Sequence, residues 1–162
     1  MGCGNGYRCG KCGYELTLHT GFGMMYAMVY RETAEQARSG KLGEKLRQFY
    51  EQNPDGALDC STGIYFCSKC KDAVCEPKLD MYLPKEDADG SKSEDDGAVW
   101  PMTLKERYRL YARGPHRCEK CGGTMRPNSP ETLDRKVKDG RMPCPRCGGR
   151  FEADLIEYCH WD

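Results

Sequence analysis

Eight cysteines in four Cys-x-x-Cys pairs, Cys9/Cys12, Cys67/Cys70, Cys118/Cys121 and Cys144/Cys147, constrain this chain more than any other feature. A two-residue gap lets one tight turn present two sulfurs to the same ion, and a structural metal site takes four of them in a tetrahedron. Four pairs therefore predict two tetrathiolate sites and two Zn2+ ions per chain. The rest of the composition needs them. The 162 residues have a mean hydropathy of −0.80 and only 38% hydrophobic side chains, little material for a large core. Zinc-finger peptides bind their metal with about 10–16 kcal/mol at pH 7, which counts as folding free energy because the unfolded chain holds no preformed site.

The same pairs point to a reducing compartment. Twelve cysteines in a small chain suit a secreted disulfide scaffold, but paired knuckles are the pattern of metal ligands in a cytosol, so a cytoplasmic protein is expected. Residues Met1 to Gly6 lead into polar and charged side chains without the apolar stretch of a signal peptide. The best apolar run, Phe22 to Tyr30, is too short to span a bilayer and contains Gly23. Neither a membrane partner nor a small-molecule substrate is expected.

Organisation reads as a repeat: strand, knuckle, strand, helix-bearing insertion, strand, knuckle, strand. The insertion is 54 residues long in the first half (13–66) and 22 in the second (122–143). Tyr14 to His19 alternates as a strand, and Cys60 to Phe66 leads into the second knuckle in the same manner. Thr33 to Arg38 is helical and stops at Ser39-Gly40; Leu42, Leu46, Phe49 and Tyr50 recur at helical spacing before Asn53-Pro54-Asp55-Gly56. This helical stripe is expected to pack on the first ribbon, with Met24, Met25 and Met28 filling core gaps. Ala73 to Leu83 reads as one closing strand. The stretch from Pro84 to Gly97 carries six acids and no large apolar residue, a solvated linker. In the second half, Thr103 to Glu106 has the form of a capping box, and Tyr108 onward alternates as a strand. Ser129-Pro130-Glu131 opens a short helix that Asp139-Gly140 ends, and Phe151 to Tyr158 supplies the last strand. The expected fold is small, α+β and metal-stabilised: two tandem zinc ribbons of antiparallel strands, one at 1–83 with a helical insertion, an acidic flexible linker at 84–100, and a basic ribbon with a short helix at 101–162.

Tyr7-Arg8-Cys9-Gly10-Lys11-Cys12-Gly13-Tyr14 and Cys144-Pro145-Arg146-Cys147-Gly148-Gly149 resemble the knuckles of the zinc-ribbon and rubredoxin-like superfamily. The resemblance covers the knuckles alone. It implies a small antiparallel sheet in which two knuckles clasp one metal, in a superfamily that includes transcription, translation and ribosomal components. Cys67-Ser68-Lys69-Cys70-Lys71 departs from the pattern by lacking a glycine after its second cysteine, and the first insertion exceeds that of a minimal ribbon. Four knuckles can be joined in three ways; the repeat and the linker favour Cys9/Cys12 with Cys67/Cys70 as site 1 and Cys118/Cys121 with Cys144/Cys147 as site 2, over a knuckle-swapped arrangement. Every knuckle has a basic residue before its second cysteine, Lys11, Lys69, Lys120 and Arg146, suited to offset the −2 charge of four thiolates on a divalent ion.

Net charge is zero overall, but residues 101–150 hold thirteen Lys and Arg against five Asp and Glu. Such a surface suits phosphate, and Arg107, Arg109 and Arg113 on one strand face with Tyr111 form a candidate nucleic-acid contact, the arginines for phosphate and the ring for stacking a base. A pI near 6.8 and the acids of 151–162 argue equally for a protein partner. Catalysis is not predicted. Complete tetrathiolate sets leave no open position for water, and His19, His116 and His160 show no metalloprotease spacing. Cys3, Cys60, Cys75 and Cys159 read as buried small hydrophobes or surface thiols, not as a third site with His160. The expected function is a non-enzymatic zinc-binding interaction module. Iron in the same sulfur cage would make an electron carrier, and oxidation of the thiolates to disulfides a redox switch.

Overall fold

The computed structural model describes residues 2–86, 97–152 and 157–160. In chain order the elements are β1 (Gly2–Cys9), β2 (Glu15–Gly21), α1 (Tyr26–Arg38), α2 (Glu44–Gln52), β3 (Ala57–Asp59), β4 (Thr62–Cys67), β5 (Asp72–Pro77), β6 (Asp80–Pro84), α3 (Pro101–Arg107), β7 (Tyr108–Ala112), β8 (Arg126–Asn128), α4 (Pro130–Lys138), β9 (Phe151–Glu152) and β10 (Glu157–His160). They form two compact units: residues 1–23, 62–76 and 116–162, and residues 24–61 with 77–115. The division into 1–83, 84–100 and 101–162 therefore does not hold. The second unit is assembled from two excursions of the chain, and the described flanks of the expected linker belong inside it; acids 87–96 lie outside the described residues.

The first unit is built on an antiparallel sheet ordered β10-β1-β2-β4-β5, with β9 also on β1 and β8 also on β4. β4 is buried on both faces, and its alternation divides the side chains. Ile64 and Phe66 join Tyr7, Leu18, Leu133, Val137, Met142 and Phe151 in one cluster, whereas Tyr65 and Cys67 join Cys118 and Met125 in another. Helix α4 closes the first cluster with Leu133 and Val137, one turn apart; burying each is worth about 1.5–3 kcal/mol. It begins as the sequence predicts, with the Ser129 hydroxyl accepting from the Thr132 N–H at 3.2 Å and Pro130 following, and ends at Asp139-Gly140.

The second unit carries the antiparallel sheet β3-β6-β7 with α1, α2 and α3. The helical stripe expected on the first ribbon is buried here instead: Tyr26, Tyr30, Ala34 and Ala37 of α1 and Leu46, Phe49 and Tyr50 of α2, beside Ala57, Leu58, Met81 and Leu104. Met24, Met25 and Met28 lie off this stripe and are exposed, contrary to the expected core role. The expected strand from Ala73 to Leu83 is two strands in two sheets. Leu79, with φ 54°, turns the chain between them, and Gly114 approaches so closely that a Cβ there would lie 2.1 Å from the Lys78 carbonyl. Helix α3 starts at Pro101 rather than at the Thr103 capping box, and β7 starts at Tyr108 as predicted. The expected last strand is described at its ends, as β9 and β10, and residues 153–156 lie outside the described residues.

Candidate metal centres

Each knuckle is the same local device. The N–H four residues after the first cysteine donates back to that cysteine's carbonyl: Gly13 to Cys9, Lys71 to Cys67, Gly122 to Cys118 and Gly148 to Cys144, at 2.7–2.8 Å. Closing this turn puts the residue after the second cysteine in the left-handed region, with φ of 68°, 59°, 66° and 69° respectively. Three of the four are glycine, and Lys71 adopts the conformation with a side chain. The first cysteine of each pair is buried and the second half-buried, so the sulfurs face inward from the turn.

The clusters combine the knuckles differently from the sequence reading. Cys9 and Cys12 stand with Cys144 and Cys147, and Cys67 and Cys70 with Cys118 and Cys121. The expected tandem pairing is thus replaced by a nested one. Sheet pairing is the cause: β1 is registered against β9 (Cys9↔Phe151), bringing the fourth knuckle to the first, and β4 against β8 (Phe66↔Arg126), bringing the third to the second. Within each group the ligand sulfurs all lie within 4.8 Å of one another, with Cys9–Cys147 at 3.6 Å, Cys12–Cys144 at 3.7 Å and Cys67–Cys121 at 3.6 Å. A tetrahedral ion with ligand bonds of about 2.3 Å spaces its sulfurs about 3.8 Å apart. Both cages therefore fit one metal each, and both belong to the first unit.

Their electrostatics favour thiolates unevenly. Burial opposes ionisation of Cys9, but the Cys12 and Lys11 N–H groups and the Cys147 thiol outweigh it, leaving the group at about 7. Cys67 is held at about 7 first by the Cys70 N–H, 3.4 Å from its sulfur. The partner thiols crowd the other cysteines. A Tyr14 N–H favours the Cys12 thiolate, yet Cys147, burial, Cys144 and Cys9 push it up to about 12; Cys121, burial and Cys118 do the same to Cys70. A divalent ion held by the four sulfurs would resolve this crowding by taking all of them as thiolates. Of the four knuckle cations, Lys120 pairs with Asp72 at 2.7 Å across the inner site, and its pKa is raised chiefly by that contact, with Cys118 and Cys70 adding to it.

Supporting residues close the cages. Gly10 N–H donates to the Arg150 carbonyl, and a Cβ on Gly149 would lie 3.1 Å from the Cys9 sulfur, so only glycine allows that approach. His116, buried two residues before Cys118, stacks on Tyr65 at 3.5 Å and meets Glu76 through Nδ1 at 2.8 Å. Its carbonyl also receives the Met125 N–H, bracing the third knuckle. No spacing in the sequence announces this histidine as a brace. His19 is exposed and stands apart from both clusters, and the side chains of Cys159 and His160, raised as a third site, lie outside the described residues. Cys3 is exposed, Cys60 buried and Cys75 half-buried, where the His19 N–H donates to its sulfur.

The candidate nucleic-acid residues do not share one face. Arg107 ends helix α3, whereas Arg109 and Tyr111 are exposed on β7. Arg113 lies beyond the strand and pairs with the buried Asp80 at 2.5 Å. The basic run is itself divided between units. Counted on the sequence, the first unit holds thirteen Lys and Arg against eleven Asp and Glu, and the second twelve against fourteen. Among the described residues no helix is long and apolar enough to cross a membrane. The two cysteine clusters suggest zinc-ribbon-like metal sites, and the chain matches no family model, no curated protein and no solved structure.

Proposed function

We propose that this protein is a non-enzymatic interaction module of a reducing compartment, stapled by two structural zinc ions, that meets a macromolecular partner through the exposed strand β7 of its second unit. One observation carries the reading: each cage offers four cysteine sulfurs at tetrahedral spacing, a full ligand set that leaves no position for water or substrate. The metals then serve the fold and not a reaction. Arg109, Leu110 and Tyr111 are three consecutive exposed residues on one strand, and partner contact is assigned to them.

Native mass spectrometry with elemental analysis of the same sample tests this. Two zinc ions per chain are expected, falling to one in Cys9→Ser and to one in Cys67→Ser, because those residues belong to different cages. Two iron ions with strong colour would replace the reading with an electron carrier, and a metal-free chain with disulfides would place the protein in an oxidising compartment.

A further inference from the structure

Among the described residues strand β7 lies at the edge of its sheet. Within them it pairs with β6 alone, through Tyr82↔Leu110, Leu83↔Arg109 and Pro84↔Tyr108, so one row of its backbone donors and acceptors has no ladder partner there. Edge strands are commonly shielded by brevity, by charge or by a covering loop. Here Leu110 is 43% exposed and Tyr111 52% exposed, two consecutive apolar side chains at the surface of the strand. Alternation places Arg109 and Leu110 on opposite faces, and the register shift from Tyr82↔Leu110 to Met81↔Ala112 leaves Tyr111 as the extra residue of a bulge. Tyr111 is anchored rather than loose, its ring 5.6 Å from that of the buried Phe49. The exposed charge nearby is mixed but locally favours cations, with Lys85, Lys105 and Arg109 against Glu86 and Glu106, although the second unit as a whole carries more acids than bases.

We infer that β7 takes an extended acidic peptide by strand addition, with peptide carboxylates on the face of Arg109 and the alternate aliphatic side chains on the opposite face with Leu110. This rests on the reading of the protein as an interaction module and names its partner class. A nucleic acid fits the strip less well. Phosphate tracking needs several guanidiniums along one face, yet Arg107 is on a helix and Arg113 is committed to Asp80. A polypeptide uses what the strip does offer, a ladder edge unpaired among the described residues, two exposed apolar side chains and one well-placed cation.

The test uses the full chain with two metals verified on the same sample. The probe is a fluorescein-labelled peptide of alternating Glu and Val, followed by fluorescence anisotropy and by amide hydrogen exchange. Saturable binding is expected, with exchange slowed at residues 108–112. Arg109→Glu should weaken binding about tenfold and make the variant prefer the matching Lys-Val peptide, a reversal that misfolding would not produce. A two-metal protein that ignores the peptide overturns the inference and leaves the structural-metal reading standing. Binding without protection of 108–112 also overturns it. So does saturable binding of single-stranded oligouridylate in place of the peptide, if lost in Arg109→Glu, which would make the strip a nucleic-acid surface.

Discussion

At the residue scale, the knuckles show what four equivalent turns demand and what one of them does without. The left-handed residue after the second cysteine is glycine in three turns and Lys71 in the other. An L side chain in that region costs about 1–2 kcal/mol, part of which glycine gives back through its greater freedom in the unfolded chain. Lys71→Gly should therefore stabilise the metal-loaded protein by about 0.5–1 kcal/mol, read as a higher midpoint in thermal unfolding. The converse is cleaner. A Cβ on Gly148 would meet nothing within 4 Å, so Gly148→Ala tests the backbone alone and, after the same unfolded-chain offset, should cost about 0.5–1 kcal/mol; an unchanged midpoint would show that the turn does not need its left-handed residue. All eight ligand cysteines were legible in the sequence, because a Cys-x-x-Cys gap encodes its own turn. The roles of His116 and Gly149 were not, because each depends on what stands opposite after folding.

Among elements, legibility follows how local the cause is. Helix α4 has its whole specification within twelve residues, from the Ser129 cap and Pro130 to Gly140, and it forms where the sequence places it. Ser129→Ala removes the one side-chain acceptor for the Thr132 N–H and should cost about 1 kcal/mol, measurable by chemical denaturation, whereas Ser129→Asp should leave stability nearly unchanged. Equal loss in both variants would mean that the cap is not the cause. The boundary between β5 and β6 was illegible for the opposite reason. Residues 73–83 alternate well enough for one strand, but the turn at Leu79 is fitted against Gly114, 35 positions away. The methionines of 24–28 failed similarly, since which side of α1 faces inward is settled by the tyrosines at 26 and 30.

For the whole molecule, the error in pairing is the instructive one. A repeat and a charge boundary favour adjacent knuckles, yet loop closure penalises distance only weakly, by about 0.6 kcal/mol per doubling of length. Joining Cys12 to Cys144 instead of Cys67 thus costs less than one buried Leu supplies, and the β1–β9 and β4–β8 ladders outweigh it. Metal removal should respect the resulting units. The thiols of Cys9 and Cys67 lie at about 7, below the ordinary 9.0, so the stability they contribute is full above 9.0 and lost as pH falls through 7. Cys12 and Cys70, raised to about 12, have the opposite sign without metal: their contribution is present below 9.0 and lost as pH rises through 12. Metal binding requires all four as thiolates, so acid should release it. Acidification with a chromogenic chelator should liberate two metals per chain and accelerate amide exchange in 2–23, 62–76 and 116–152 before 24–61; uniform loss across both units would contradict the division. Nesting also has a consequence in time. As the chain leaves the ribosome, the inner cage has all its sulfurs once Cys121 has emerged, but Cys9 and Cys12 must wait for Cys147. Throughout that interval the earliest-made thiols are an unfinished claw, open to oxidants and to competing soft metals, and the last cysteines translated decide what the first ones become.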